Sequence, residues 1–138
     1  MIVYLTRKET FNAAHQLWVP QWSDEKNLSL FGKCANKNFH GHNYDLFITV
    51  KGTPDPVTGF LMDVKHLAKL IQEKICDVLD HSNLNLDPNF LPEGCLPTTE
   101  NLVYYIWQEL APFITGNCQL HCVKLYETPK IYCEYFGE

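Results

Sequence analysis

Alternation of apolar and polar positions dominates both ends of the chain. Val3, Leu5, Phe11, Ala13 and His15 share one parity, which predicts a long strand with an apolar end. From His42 the period of two is clearer: Tyr44, Leu46, Ile48 and Val50 face one way, and Asp45, Thr49 and Lys51 the other. Phe47 breaks that pattern. Residues 18–33, with Pro20, Ser23, Asp24, Asn27 and Gly32, read as a surface excursion between the two strands. The run from Lys51 to Pro56 ends the second strand, and 59–62 read as a short extension of it. Asp63 reads as an N-cap, and Val64, Leu67, Ala68, Ile71, Ile75, Val78 and Leu79 follow with helical spacing. Residues 82–98, with Pro88, Pro92, Gly94 and Pro97, read as loop. Thr98 or Thr99 caps a second helix carrying Leu102, Val103, Ile106, Leu110 and Phe113. Strands at about 118–127 and 130–136 close the chain. The order β, β, α, α, β, β predicts an α+β domain with a largely antiparallel sheet.

With 138 residues the chain fits one domain, 1–138, long enough to fold around its own core. A formal charge of −5, with lysines scattered among acids, excludes a nucleic-acid footprint. No apolar run approaches the ~20 residues needed to cross a bilayer. Charge at Arg7, Lys8 and Glu9 comes too early for a signal peptide, so we expect a cytoplasmic protein. The six cysteines include no C-x-x-C pair. Cys76, in a helical pattern, and Cys118, Cys122 and Cys133, in strand patterns, read as small buried hydrophobes.

The densest chemical signal runs from Cys34 to His42. Histidines at i and i+2 on a strand share a face, so His40 and His42 can approach one ion. The third ligand expected is His15, at the end of the first strand. Three neutral imidazoles leave one tetrahedral position of zinc open, the pattern of a catalytic site. His66 and His121 are lone and read as structural. Cys34 follows Lys33 and precedes the pair, which allows an activated thiolate, an inert thiol or a fourth ligand that would close the site. Asp80–His81 ends the first helix and reads equally as a proton relay or as a helix-terminal cation with its turn neighbour. Glu127 closes an alternating strand, where it can grip two N–H groups of a guanidine-like ring edge or simply be a solvated charge.

Six segments together resemble the 6-pyruvoyl-tetrahydropterin synthase family: 11–15 (FNAAH), 30–34 (LFGKC), 40–44 (HGHNY), 80–84 (DHSNL), 98–101 (TTEN) and 126–128 (YET). The resemblance implies the tunnelling fold, or T-fold: a four-stranded antiparallel sheet with two helices on one face, closing into barrels within a homohexamer, a dimer of trimers. It implies a zinc-dependent lyase that converts 7,8-dihydroneopterin triphosphate to 6-pyruvoyl-tetrahydropterin, with loss of triphosphate. His15, His40 and His42 would hold Zn2+. Cys34 would be the base, Asp80 and His81 the proton shuttle, supplied to a neighbouring subunit, and Glu127 the anchor of the pterin edge, supported by Thr98 and Thr99. Whether Mg2+ accompanies the triphosphate stays open. The spacing from Cys34 to His40 is like that of the pyruvoyl synthases, and the related 6-carboxytetrahydropterin synthases, which release acetaldehyde, usually have a shorter one. Phe39 departs from the glycine usual before the first paired histidine, which leaves the carboxy product as the nearest rival. A non-catalytic pterin-binding zinc protein is the rival from another class, and it has no need of the set Cys34, Asp80, His81.

Overall fold

A computed structural model describes residues 1–87 and 89–138. Two strands of thirteen residues form its spine. β1, Val3–His15, and β2, His40–Gly52, pair antiparallel along their whole length, from Val3 opposite Gly52 to His15 opposite His40. β4, Cys118–Thr128, adds to the far side of β2, and β5, Ile131–Tyr135, adds to β4, both antiparallel. The expected four-strand sheet gains a two-residue edge, β3, Ser82–Asn83, parallel to β1. Among the described residues the order is β3-β1-β2-β4-β5. The sheet of one chain remains open at both edges.

One face of this sheet is covered. α2, Val64–Ile71, starts on Asp63, whose carboxylate accepts the Lys65 N–H at 2.9 Å. It runs through a π-helical turn, Gln72–Cys76, into α3, Asp77–Leu79. α4, Thr99–Leu110, starts on the cap Thr98. Leu67, Ile71, Ile75, Leu79, Leu102, Ile106 and Leu110 from these helices bury against Phe11, Tyr44, Leu46, Ile48, Val123 and Leu125 from the sheet. Truncating one fully buried leucine here costs about 2–5 kcal/mol. The expected stripe is wrong at three positions. Val64, at the helix start, and Val78, beyond the π turn, are exposed. The wide turn admits one extra residue and rotates Val78 outward. Phe113 is exposed in a short 3-10 turn after α4.

Two further expectations fail. The excursion 18–33 contains a helix, α1, Asp24–Phe31, followed by a 3-10 turn, Gly32–Ala35. Its anchor is polar: Asn27 is buried, accepts the Val19 N–H and donates to the Val19 and Ser23 carbonyls. The extension at 59–62 forms irregular chain and bend rather than strand. Pro88, part of the expected loop, lies outside the described residues.

β4 carries a bulge. Val50 pairs with Leu120 but Thr49 with Cys122, so His121 is an extra residue and the parity of β4 inverts there. Beyond it, Val123 and Leu125 face the helices.

Candidate metal centre and pterin site

The antiparallel register places His15 opposite His40 and Ala13 opposite His42, so three imidazoles converge at one end of the covered face. Their ring centroids lie 4.5 Å apart for His15 and His40, 5.1 Å for His15 and His42, and 4.9 Å for His40 and His42. One ligand atom from each lies within 4.8 Å of the others. His15, 1% exposed, donates Nδ1–H to the Pro97 carbonyl at 2.8 Å, which leaves Nε2 as a lone pair. That Nε2 stands 3.0 Å from His40 Nε2. His40 Nδ1 and His42 Nε2 are buried with no hydrogen-bond partner. Burial lowers the pKa of all three below the ordinary imidazole value, opposed at His15 by the Pro97 carbonyl and at His42 by Glu127. Neutral imidazoles with converging lone pairs and unpartnered nitrogens fit a metal cation.

The other expected residues divide into those that the fold gathers and those that it sets apart. The bulge in β4 turns Glu127 to the histidine face. Its Oε1 lies 3.5 Å from His42 Nε2, and its Oε2 accepts the Thr99 hydroxyl at 2.8 Å. Thr99 is buried. The Thr98 hydroxyl instead accepts the Asn101 N–H as the cap of α4. Cys34, half-buried and a free thiol, sits in the 3-10 turn. That turn is tied to the end of β1, where Leu17 N–H donates to the Cys34 carbonyl at 2.8 Å and the Gln16 amide to the Ala35 carbonyl at 3.0 Å.

Asp80 and His81 hang on the other side of β1. Asp80 Oδ1 accepts the Asn12 N–H at 2.7 Å, Oδ2 lies 2.8 Å from His81 Nδ1, and His81 N–H donates to the Asn12 carbonyl at 2.6 Å. The Asn12 N–H, then His81, hold the Asp80 carboxyl below its usual range. His81 has φ 58, a left-handed conformation disfavoured for a side chain of this size. Its side chain is 83% exposed. Of the lone histidines, His66 is exposed on α2, and His121 packs between Tyr4 and Phe136.

One residue of the site was missed. Tyr44 is fully buried, stacked on Phe11 and edge-on to His42, and its hydroxyl has no partner. Burial, then Glu127, pushes its phenol well above the ordinary value. Its apolar-parity position hid it, because a ring in a core strand reads as packing. The two-residue step from His42 was the available signal.

The family model described as 6-pyruvoyl tetrahydropterin synthase matches residues 4–138. A 6-pyruvoyl tetrahydrobiopterin synthase from Pongo abelii is 43% identical over 134 residues, covering 97% of this chain and 91% of that protein. The protein of the same name from Drosophila melanogaster is 43% identical over 136 residues, covering 99% and 80%. The solved 6-pyruvoyl tetrahydropterin synthase of Caenorhabditis elegans superposes with a TM-score of 0.92 at 36% identity, covering 100% of this chain and 97% of that one. Likeness of this extent runs through every strand and helix described above, and the chain belongs to the 6-pyruvoyl tetrahydropterin synthase family.

Proposed function

We propose that the protein is a zinc-dependent lyase that converts 7,8-dihydroneopterin triphosphate to 6-pyruvoyl-tetrahydropterin, eliminating triphosphate. The convergence of three neutral imidazoles beside Glu127, within a chain of this family, is the observation that carries the reading. His15, His40 and His42 would hold Zn2+, which when bound acts as a Lewis acid toward the side-chain hydroxyls of the substrate.

The remaining roles follow from what each group can reach. Glu127, with Thr99 donating to Oε2, presents a carboxylate to the N–H groups of the pterin edge. Thr98 contributes by starting α4 where Thr99 meets Glu127. Cys34 takes a proton from a side-chain carbon. Asp80 Oδ2 accepts from His81 Nδ1, so the free His81 Nε2 can take up and return protons during tautomerisation. Hydrogens move within the substrate, so neither nicotinamide nor flavin is required. The exposed Asp80–His81 pair serves a neighbouring chain's site in a homohexamer, a dimer of trimers in the cytoplasm.

Product identification by mass spectrometry, after metal-loaded protein meets 7,8-dihydroneopterin triphosphate, tests the reading. We expect 6-pyruvoyl-tetrahydropterin and triphosphate. Abundant acetaldehyde with 6-carboxytetrahydropterin would assign the rival reaction, and no turnover at all would leave a pterin-binding zinc protein.

A further inference from the structure

The Tyr44 hydroxyl is the polar atom that packing accounts for least. The residue is 0% exposed, and its oxygen, shut off from water, has no hydrogen-bond partner. A buried hydroxyl left unpaired destabilises a fold, and phenylalanine of the same shape would avoid the cost. The ring is also held in place. It stacks on Phe11 at 4.8 Å and 15°, and meets His42 edge-on at 5.7 Å.

Register supplies the neighbour. Asp45 stands opposite Tyr126, so the next step along each strand brings Tyr44 and Glu127 side by side on the histidine face. Glu127 is half satisfied there. Oε2 accepts from Thr99 at 2.8 Å, whereas Oε1 has the His42 ring nitrogen at 3.5 Å, beyond a good hydrogen bond. A donor without an acceptor thus lies on the strand beside a carboxylate oxygen without a close donor.

We propose that Tyr44 is a positioning residue: its hydroxyl donates to the Glu127 carboxylate when a pterin-type ring engages it. With Thr99 on Oε2 and Tyr44 on Oε1, the carboxylate is locked in the plane that two ring N–H groups demand. The inference rests on Glu127 being the ring anchor, as proposed above. In this proposal Glu127 rotates about its side chain to meet the hydroxyl, while the Tyr44 ring stays where Phe11 holds it.

The test uses metal-loaded wild type, Tyr44→Phe, Glu127→Gln and the double variant, titrated with neopterin and followed by its fluorescence. We expect Tyr44→Phe to melt at or above the wild-type temperature and to keep its metal content. It should bind neopterin about 10-fold more weakly, the loss of one hydrogen bond to a charged group. KM should rise with little change in kcat. In the Glu127→Gln background the same substitution should add nothing, because the acceptor that it serves has changed. Unchanged neopterin binding in Tyr44→Phe overturns the proposal, as does an additive double variant. So does a Tyr44→Phe protein that fails to fold, which would make the hydroxyl a structural group. Wild-type neopterin binding by Glu127→Gln instead removes the anchor role itself, so the two failures are distinguishable.

Discussion

Two histidines are held at β1 by positions three residues apart, in opposite circumstances. His15 is 1% exposed, gripped by the Pro97 carbonyl and met by two further imidazoles. His81 is braced just as firmly, by the Asn12 carbonyl and by Asp80, itself held by the Asn12 N–H, yet its side chain is 83% exposed. Both are preorganised, and only one is enclosed. A single chain brings the three imidazoles together outright, whereas the Asp80–His81 pair is left facing solvent. The left-handed backbone at His81 fits that reading, since strain of this kind collects where a side chain must be aimed.

The comparison can be broken hardest at its enclosed end. His15→Ala should abolish bound metal, measured by elemental analysis, and bring turnover to background; full metal content would dissolve the cradle. Cys34→Ala should keep metal and fold but lose turnover by about 10²–10⁴-fold, the usual contribution of a positioned base. The exposed end is sharpened by mixing. Cys34→Ala and His81→Ala chains, each inactive alone, should regain activity when co-assembled, to about a quarter of wild type if each site draws its pair from a neighbour in a ring. No recovery would return the Asp80–His81 pair to its own chain.

A smaller effect separates the two ends by pH. Burial holds the cluster imidazoles below 6.5 in the folded chain. As pH falls, the unfolded chain therefore binds protons first, and the stability of metal-stripped protein, complete above 6.5, is lost below it. Melting curves of chelator-treated protein should show that decline, and His15→Ala should flatten it. The smallest effect concerns Phe39, at φ 65 just before the cluster. Phe39→Gly relieves a left-handed backbone and should stabilise by up to about 1 kcal/mol in denaturant titrations.

How much of this was legible in the sequence depends on how local each cause is. β1, β2, α2 and α4 announce themselves through alternation and through the caps Asp63 and Thr98. The histidine trio follows, because an i, i+2 pair on one strand needs only a neighbour to complete it. α1 was hidden because a buried asparagine, not an apolar stripe, fastens it. β3 is two residues long and exists only through a partner sixty-nine positions away. Val78 was misplaced because a π turn leaves no mark in hydrophobic spacing. Tyr44 was read as core, which its ring is and its hydroxyl is not.

The bulge at His121 has a consequence for any attempt to redesign this chain. It acts as a parity switch: one unpaired residue decides which surface every later side chain of β4 addresses. Flattening it, so that His121 paired with Thr49, would deliver Glu127 to the opposite surface, with Tyr126 in its place. Deleting His121 would instead keep every later pairing in plain alternation and leave Glu127 beside the imidazoles, so a redesign must preserve the register rather than the residue.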